Sequence, residues 1–347
     1  MNVRMILLVL LMVLPGVTNA QGFAGLGTDA EGFAVPKQGA QLQFPQDHGP
    51  HPAFRVEWWY VTANLTGADG RDYGIQWTLF RSALRPFDSK GWQSPQLWMG
   101  HAAVTTPKAH FFDERFARGG IGQAGVTAQP FEAWIDDWQM VGPDFDTLNL
   151  RASGAEFTYD LDLMATGPLV AHGDRGYSVK SAAGQASYYY SQPAYQVRGT
   201  LDLPEGPMPV TGWAWLDREW SSQPLSEDQS GWDWFSLTFD SGDRLMAFRL
   251  RGESDLFTSG TWITPDGQAT PLGNGRVTAT PTEWNEAHGR RVPISWQLQL
   301  PDKDLDVQIS ALNPAAWMGR TFAYWEGPVR VTGSHQGKGY LEMTGYD

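Results

Sequence analysis

EWWYVTANL, Glu57–Leu65, has a counterpart in WDWFSLTFD, Trp232–Asp240. Setting Glu57 on Asp233 places Trp58 on Trp234, Trp59 on Phe235, Val61 on Leu237 and Thr62 on Thr238. Each run enters a Gly/Asp turn and leaves along a segment ending in Phe and Arg, TLFR at 78–81 and AFRLR at 247–251. The halves also close alike: VRG at 197–199 and GW at 212–213 in one, VTG at 331–333 and GY at 339–340 in the other. Repetition on this scale points to two units of one plan.

Both units read as β. In EFTYDLDL, Glu156–Leu163, the apolar residues Phe157, Tyr159, Leu161 and Leu163 alternate with Thr158, Asp160 and Asp162. Period two is a half-buried strand. Turn signals separate such runs: TGADGR at 66–71, DSGD at 240–243 and TPDG at 264–267. No apolar stripe of helical period exceeds about three turns. Residues 107–124 are the best place for a short helix or a long loop. The polar stretch SSQPLSEDQSG, 221–231, is the expected seam. Many short antiparallel strands with aromatic inner faces favour ligand-holding barrels, with a sandwich as the competing all-β solution.

The bulk numbers narrow the classes. A net charge of −13 argues against nucleic acid and against anionic lipid surfaces. Seventeen Trp and 39 Gly fit an all-β chain with surfaces for flat or apolar partners. Arg4, the apolar run Met5–Leu14, Pro15–Gly16 and small residues at Thr18 and Ala20 form an export leader, cleaved after Ala20. The product is then periplasmic or secreted. The chain has no cysteine, so no disulfide supports its core. The expected organisation is leader 1–20, N-terminal arm 21–45, first barrel 46–222 and second barrel 223–347.

Longer motifs carry a family resemblance. FPQDHGPHPAFRVEWWYVTANL (44–65), YYYSQP (188–193), VTGWAWLDREWSSQPL (210–225), GWDWFSLTF (231–239) and YWEGPVRVTG (324–333) resemble the AttH-like family, as does GKGYLEMTGY (337–346). That family also contains carotenoid 1,2-hydratase (hydroxyneurosporene synthase), and its exported members are often labelled secreted hydrolases. The resemblance implies two lipocalin-like antiparallel β-barrels in tandem and an apolar, often isoprenoid or polyene, ligand in an aromatic cavity. It also implies acid-initiated hydration of a C=C bond as the chemistry, a lyase of the hydratase type. The alternatives are a non-catalytic carrier of lipid or isoprenoid and an accessory protein meeting a membrane transporter.

WAWLDREW, Trp213–Trp220, carries the chemistry best. Strand alternation puts Trp213, Trp215, Asp217 and Glu219 on one face. An acid among indoles is desolvated and holds its proton, as protonation of an alkene requires. Trisubstituted alkenes then give tertiary cations, which an indole face stabilises. The competing reading pairs Asp217 or Glu219 with an Arg. Glu57 and Asp233, at matching repeat positions, suit a shared structural role or an inward-facing one. Trp59, Trp232, Trp234 and Tyr190 complete the candidate ligand wall.

HGPH places His48 and His51 in a proline-stiffened loop six residues or so before Glu57. Two histidines and a carboxylate form a known metal set, but the spacing is not that of a helical zinc motif and no fourth ligand follows. No metal or cofactor is expected, and His51 is a candidate polar participant. There is no G-x-S-x-G elbow, and SHQGKG at 334–339 reads as a hairpin tip rather than a phosphate loop.

Overall fold

The computed structural model describes residues 30–252 and 256–346, so the expected leader lies outside the described residues. The first half contains β1 (Val56–Gly67), β2 (Asp72–Ala83), β3 (Gln96–Thr105), β4 (His110–Arg118), β5 (Ala124–Ala128), β6 (Phe131–Ile135) and β7 (Trp138–Gly142). It continues with β8 (Thr147–Ser153), β9 (Thr158–Ala165), β10 (Val170–Ala171), β11 (Tyr177–Val179), β12 (Ala186–Leu203) and β13 (Gly206–Ser221). The second half contains β14 (Gln229–Phe239), β15 (Arg244–Gly252), β16 (Leu256–Ile263), β17 (Ala269–Leu272) and β18 (Thr278–Ala287). It ends with β19 (Arg290–Leu300), β20 (Leu305–Ala311), β21 (Trp317–Met318), β22 (Tyr324–Gly333) and β23 (Gly337–Met343).

These strands form two curled antiparallel sheets, one a nearly closed barrel and the other a half-barrel. In each, the first strand lies beside the last: β1 pairs with β13, and β14 with β23. The turns at 66–71 and 240–243 join β1 to β2 and β14 to β15, as their Gly and Asp content predicts. The segment expected as helix or loop at 107–124 is instead strand β4, paired along its whole length with β3. HFFDERFAR lacks clean alternation because most of β4 is half-buried on both faces.

Residues 30–45 pack on the first sheet, where Leu42 joins its core and the Lys37 amide donates to the Tyr188 hydroxyl at 2.8 Å.

The alternation in β1 sends its two faces to different places. Trp59, Val61, Ala63 and Leu65 enter the packed interior of the first barrel with Trp77, Trp138 and Tyr159. Tyr60 faces the second barrel and packs with Tyr189, Trp215, Trp234, Phe248 and Tyr340. The second barrel is filled in turn by Phe235, Trp296, Trp317 and Trp325. Both interiors are filled by clusters of buried apolar side chains, and burying each large one contributes roughly 1.5–3 kcal/mol. Further ties cross the seam, among them Asn64 Nδ2 to the Gly339 carbonyl at 2.9 Å.

The ladders define the repeat residue by residue. Glu57 stands opposite Trp220 and Arg81, while Asp233 stands opposite Met343 and Arg249. Strand β13 therefore corresponds to β23, and Glu219, opposite Trp58, corresponds to Glu342, opposite Trp234. By the same register Tyr189 corresponds to Glu326 and Asp217 to Tyr340. The match expected between Gly212 and Gly339 is displaced, because Gly339 answers to Leu216. VRG and VTG are displaced as well, because Val331 answers to Tyr195 and not to Val197.

Candidate active site

A cavity of about 360 Å³ lies between the two barrels. Trp58, Phe80 and Glu219 of the first barrel line it, together with their repeat counterparts Trp234, Phe248 and Glu342 of the second. Met99, His101, Tyr60, Tyr189, Asp217, Trp232 and Tyr324 complete most of the wall. Paired indoles and phenyls make the chamber apolar, and the acids enter it from the adjacent strands β13 and β23. The cavity occupies the seam because the outer faces of β1 and β14 carry the aromatic residues that a solvent-facing strand would lack.

Asp217 is buried and forms no ion pair among the described residues, although the charge of Lys180, which is paired with Glu219, also acts on it. Ser191 Oγ and Trp215 Nε1 both donate to its Oδ1, the latter at 2.6 Å, so the carboxylic proton belongs on Oδ2. Burial raises its pKa, with a smaller push from Glu219, and three hydrogen bonds from Ser191, Trp215 and Tyr189 only partly offset this. The result is a carboxyl pushed up to about 7. Ser191 is held by His172 Nε2 at 2.6 Å, and His172 Nδ1 meets Thr261 Oγ1 of the second barrel at 2.9 Å. Burial, and then the charge of Lys180, hold His172 well below its usual range, so it is a neutral donor to Ser191. Glu219 behaves differently: the Lys180 ammonium lies 2.9 Å from its Oε1, and Ser187 Oγ donates to the same oxygen.

Glu342 was not foreseen from sequence. Trp232 Nε1 donates to its Oε1 at 2.6 Å, and burial pushes its pKa up to about 7. Opposite it on β22, Glu326 is buried, accepts from the Tyr60 hydroxyl, and is raised well above the carboxylate range by burial and by Glu342. His101 and Tyr324, also unforeseen, meet at 2.8 Å across the seam.

The remaining candidates lie elsewhere. Glu57 touches the cavity rim but is clamped by Arg81 and Arg218. Burial would raise its pKa, yet the two guanidiniums outweigh it and hold the carboxyl well below its usual range. Asp233 is held by Arg249 at 2.8 Å and Arg251 at 2.5 Å and also accepts from the Tyr346 hydroxyl, outside the cavity. Trp59 lies in the first core under the Arg218 guanidinium, 3.8 Å from its ring centroid. Tyr190 lies there too and bonds His48 Nδ1 at 2.7 Å. His51 stacks on Trp220 at 4.0 Å and bridges Asp47 and the Glu57–Arg218 pair, away from the cavity wall. Trp215 is buried beside Asp217, whereas Trp213 is 50% exposed in an open groove on another part of the seam. Among the described residues no group of three His, Asp or Glu side chains is placed to hold a metal ion.

The AttH-like family model matches residues 35–346. The chain belongs to the AttH-like family. A crystal structure of an AttH protein from Nitrosomonas europaea superposes with a TM-score of 0.82 at 33% identity, covering 90% of this chain and 99% of that one. Kievitone hydratase from Nectria haematococca superposes with a TM-score of 0.67 at 14% identity, covering 92% of this chain and 98% of that one. At that identity the likeness is one of fold, and it gives this AttH-like chain a hydratase-like β-barrel architecture. No functionally curated protein matches the chain.

Proposed function

We propose that the cavity between the barrels binds an apolar unsaturated molecule, of isoprenoid or polyene type, and hydrates one C=C bond. Asp217 Oδ2 gives its proton to the alkene carbon that leaves the more substituted cation. Trp58, Trp232 and Trp234 face that cation, and water adds to it. The observation that carries the reading is a buried carboxyl on the cavity wall with neutral hydrogen-bond donors and no ion-pair partner among the described residues, its pKa pushed up by burial to about 7. A carboxylate locked on arginine could not give up a proton it does not hold. The resemblance to a hydratase fold supports the same class of reaction.

Turnover of an acyclic polyene such as lycopene in detergent tests this. Asp217→Asn keeps the acceptor for Ser191 and Trp215 but removes the acid. It should lower turnover by about 10²–10⁴-fold with little change in binding, which is driven by apolar burial. Unchanged turnover refutes the acid assignment. Binding without turnover in the wild type leaves a carrier. We also infer export, as the leader implies, and intact mass of the cellular protein should begin at Gln21; a retained leader contradicts it.

A further inference from the structure

The cavity face of the second barrel continues into a chain of proton-carrying groups that hydration by Asp217 does not use. Glu342 lines the cavity, and Tyr60, on the same wall, donates its hydroxyl to Glu326. Glu326 stands outside the cavity wall, directly opposite Glu342 in the β22–β23 ladder. Tyr324 lies two residues before Glu326 on the same strand face, and Glu326 Oε2 is buried with no hydrogen-bond partner among the described residues. The Tyr324 hydroxyl is 2.8 Å from His101 Nδ1. His101 Nε2 is 3.0 Å from Glu114 Oε1, and Glu114 is half-buried, meeting the exposed Thr321. The series draws on both barrels: Tyr60, His101 and Glu114 belong to the first, Glu326, Tyr324 and Glu342 to the second.

We propose that Glu342, Tyr60, Glu326, Tyr324, His101 and Glu114 form a proton relay from the cavity to the surface. Its use in catalysis rests on the hydration reading. When water's oxygen bonds to the cation, one of its O–H bonds breaks; Glu342 accepts that proton on one carboxyl oxygen as the proton on its other oxygen passes to Tyr60. The relay passes a proton outward, hydroxyl by hydroxyl, and Glu114 releases it to solvent. Asp217, left as carboxylate after its C–H bond has formed, takes a proton from solvent when product leaves. Alkene and water are consumed, alcohol is formed, and no proton is gained or lost. His101 is suited to the middle of the series because an imidazole accepts on one nitrogen while donating from the other. The repeat shows that the device is local. Glu219, the counterpart of Glu342, is paired with Lys180, and a tyrosine, Tyr189, stands where Glu326 stands in the second barrel.

The test needs no substrate, so its failure is separate from failure of the hydration reading. Infrared spectra of the purified full chain in D2O follow the C=O bands of protonated carboxyls. The bands are assigned by their loss in Glu326→Gln, Glu342→Gln and Asp217→Asn. His101→Phe and Tyr324→Phe should each slow deuterium exchange at Glu326 by about tenfold or more, with exchange at Asp217 unchanged. Glu114→Gln, at the solvent end and sparing the core, should slow the same band and supplies the result if His101→Phe does not fold. Wild-type exchange at Glu326 in Tyr324→Phe or Glu114→Gln overturns the relay, as does equal slowing at Asp217, which would report a general tightening of the fold.

Discussion

Glu57 and Asp217 are both almost wholly buried on paired neighbouring strands, yet their surroundings treat the negative charge in opposite ways. Glu57 faces into the first barrel and meets two guanidiniums, as Asp233 does in the second. Asp217, one residue from Arg218, faces the other way and meets a serine, an indole and a tyrosine. Strand alternation makes this possible: successive side chains of β13 enter two environments with no shared partner. The barrel mouths are fastened by ionised carboxylates, whereas at the seam burial raises the pKa of Asp217, Glu326 and Glu342, and Glu219 beside them is paired with a lysine. Buried ion pairs repay their desolvation only when both partners are present, so the first kind is structural. A buried acid without a cation is poised for proton transfer.

The contrast predicts mutations of opposite sign. Glu57→Gln leaves two buried guanidiniums facing a neutral amide and should destabilise the protein by about 3–5 kcal/mol in urea unfolding. Asp233→Asn should cost less, because Arg249 and Arg251 are 18% and 16% exposed and solvent screens them. A cost for Glu57→Gln below about 1 kcal/mol would break the comparison at its structural end.

Asp217→Asn should stabilise above neutrality. The folded protein holds the Asp217 proton up to about 7, whereas the unfolded chain releases it near 3.8. The folded state therefore binds more protons between those values, and its advantage, complete below about pH 4, is lost as pH rises towards 7. Asn carries no such dependence. The variant should gain on the order of 4 kcal/mol over wild type at pH 8 and little at pH 4, as thermal melts across that range would show. Glu57 has the reverse sign: its depressed pKa contributes stability that is present at neutral pH and lost on acidification below about 4.

Asp72 supplies the same arrangement in water. It meets Arg330 at 2.8 Å and Lys338 at 2.7 Å across the seam, where Arg330 is 65% and Lys338 43% exposed. Asp72→Asn should cost at most about 1 kcal/mol, and added salt should erase the cost. A larger effect would mean that charge number, rather than burial, sets the strength of these pairs.

Much of this division was legible in the chain. Alternation in WAWLDREW puts Asp217 and Glu219 on one face and Arg218 on the other, and the repeat pairs Glu57 with Asp233. What alternation cannot give is what lies opposite each face. Trp59 and Trp58 read alike in sequence, but one fills a core and the other lines a cavity. Lys180, in a stretch with little pattern, decides that Glu219 is ion-paired while Asp217 is not. Glu342 had a signal. Carrying the Glu57–Asp233 alignment across the ladder leads from Glu219 to it, but loose matching of Gly-aromatic pairs put the two closing strands out of register. His101 and Tyr324 meet only through the packing of two barrels, from strands more than 200 residues apart, which no local pattern encodes.

The central claim is that Asp217 in the resting protein holds its proton well above the usual carboxylate range, up to about pH 7. Carbon-13 NMR titration of aspartate-labelled protein, with Asp217 assigned by its loss in Asp217→Asn, measures this directly. The account predicts a carboxyl resonance that titrates near pH 7 with no other aspartate beside it. An Asp217 signal already ionised at pH 5 would contradict it.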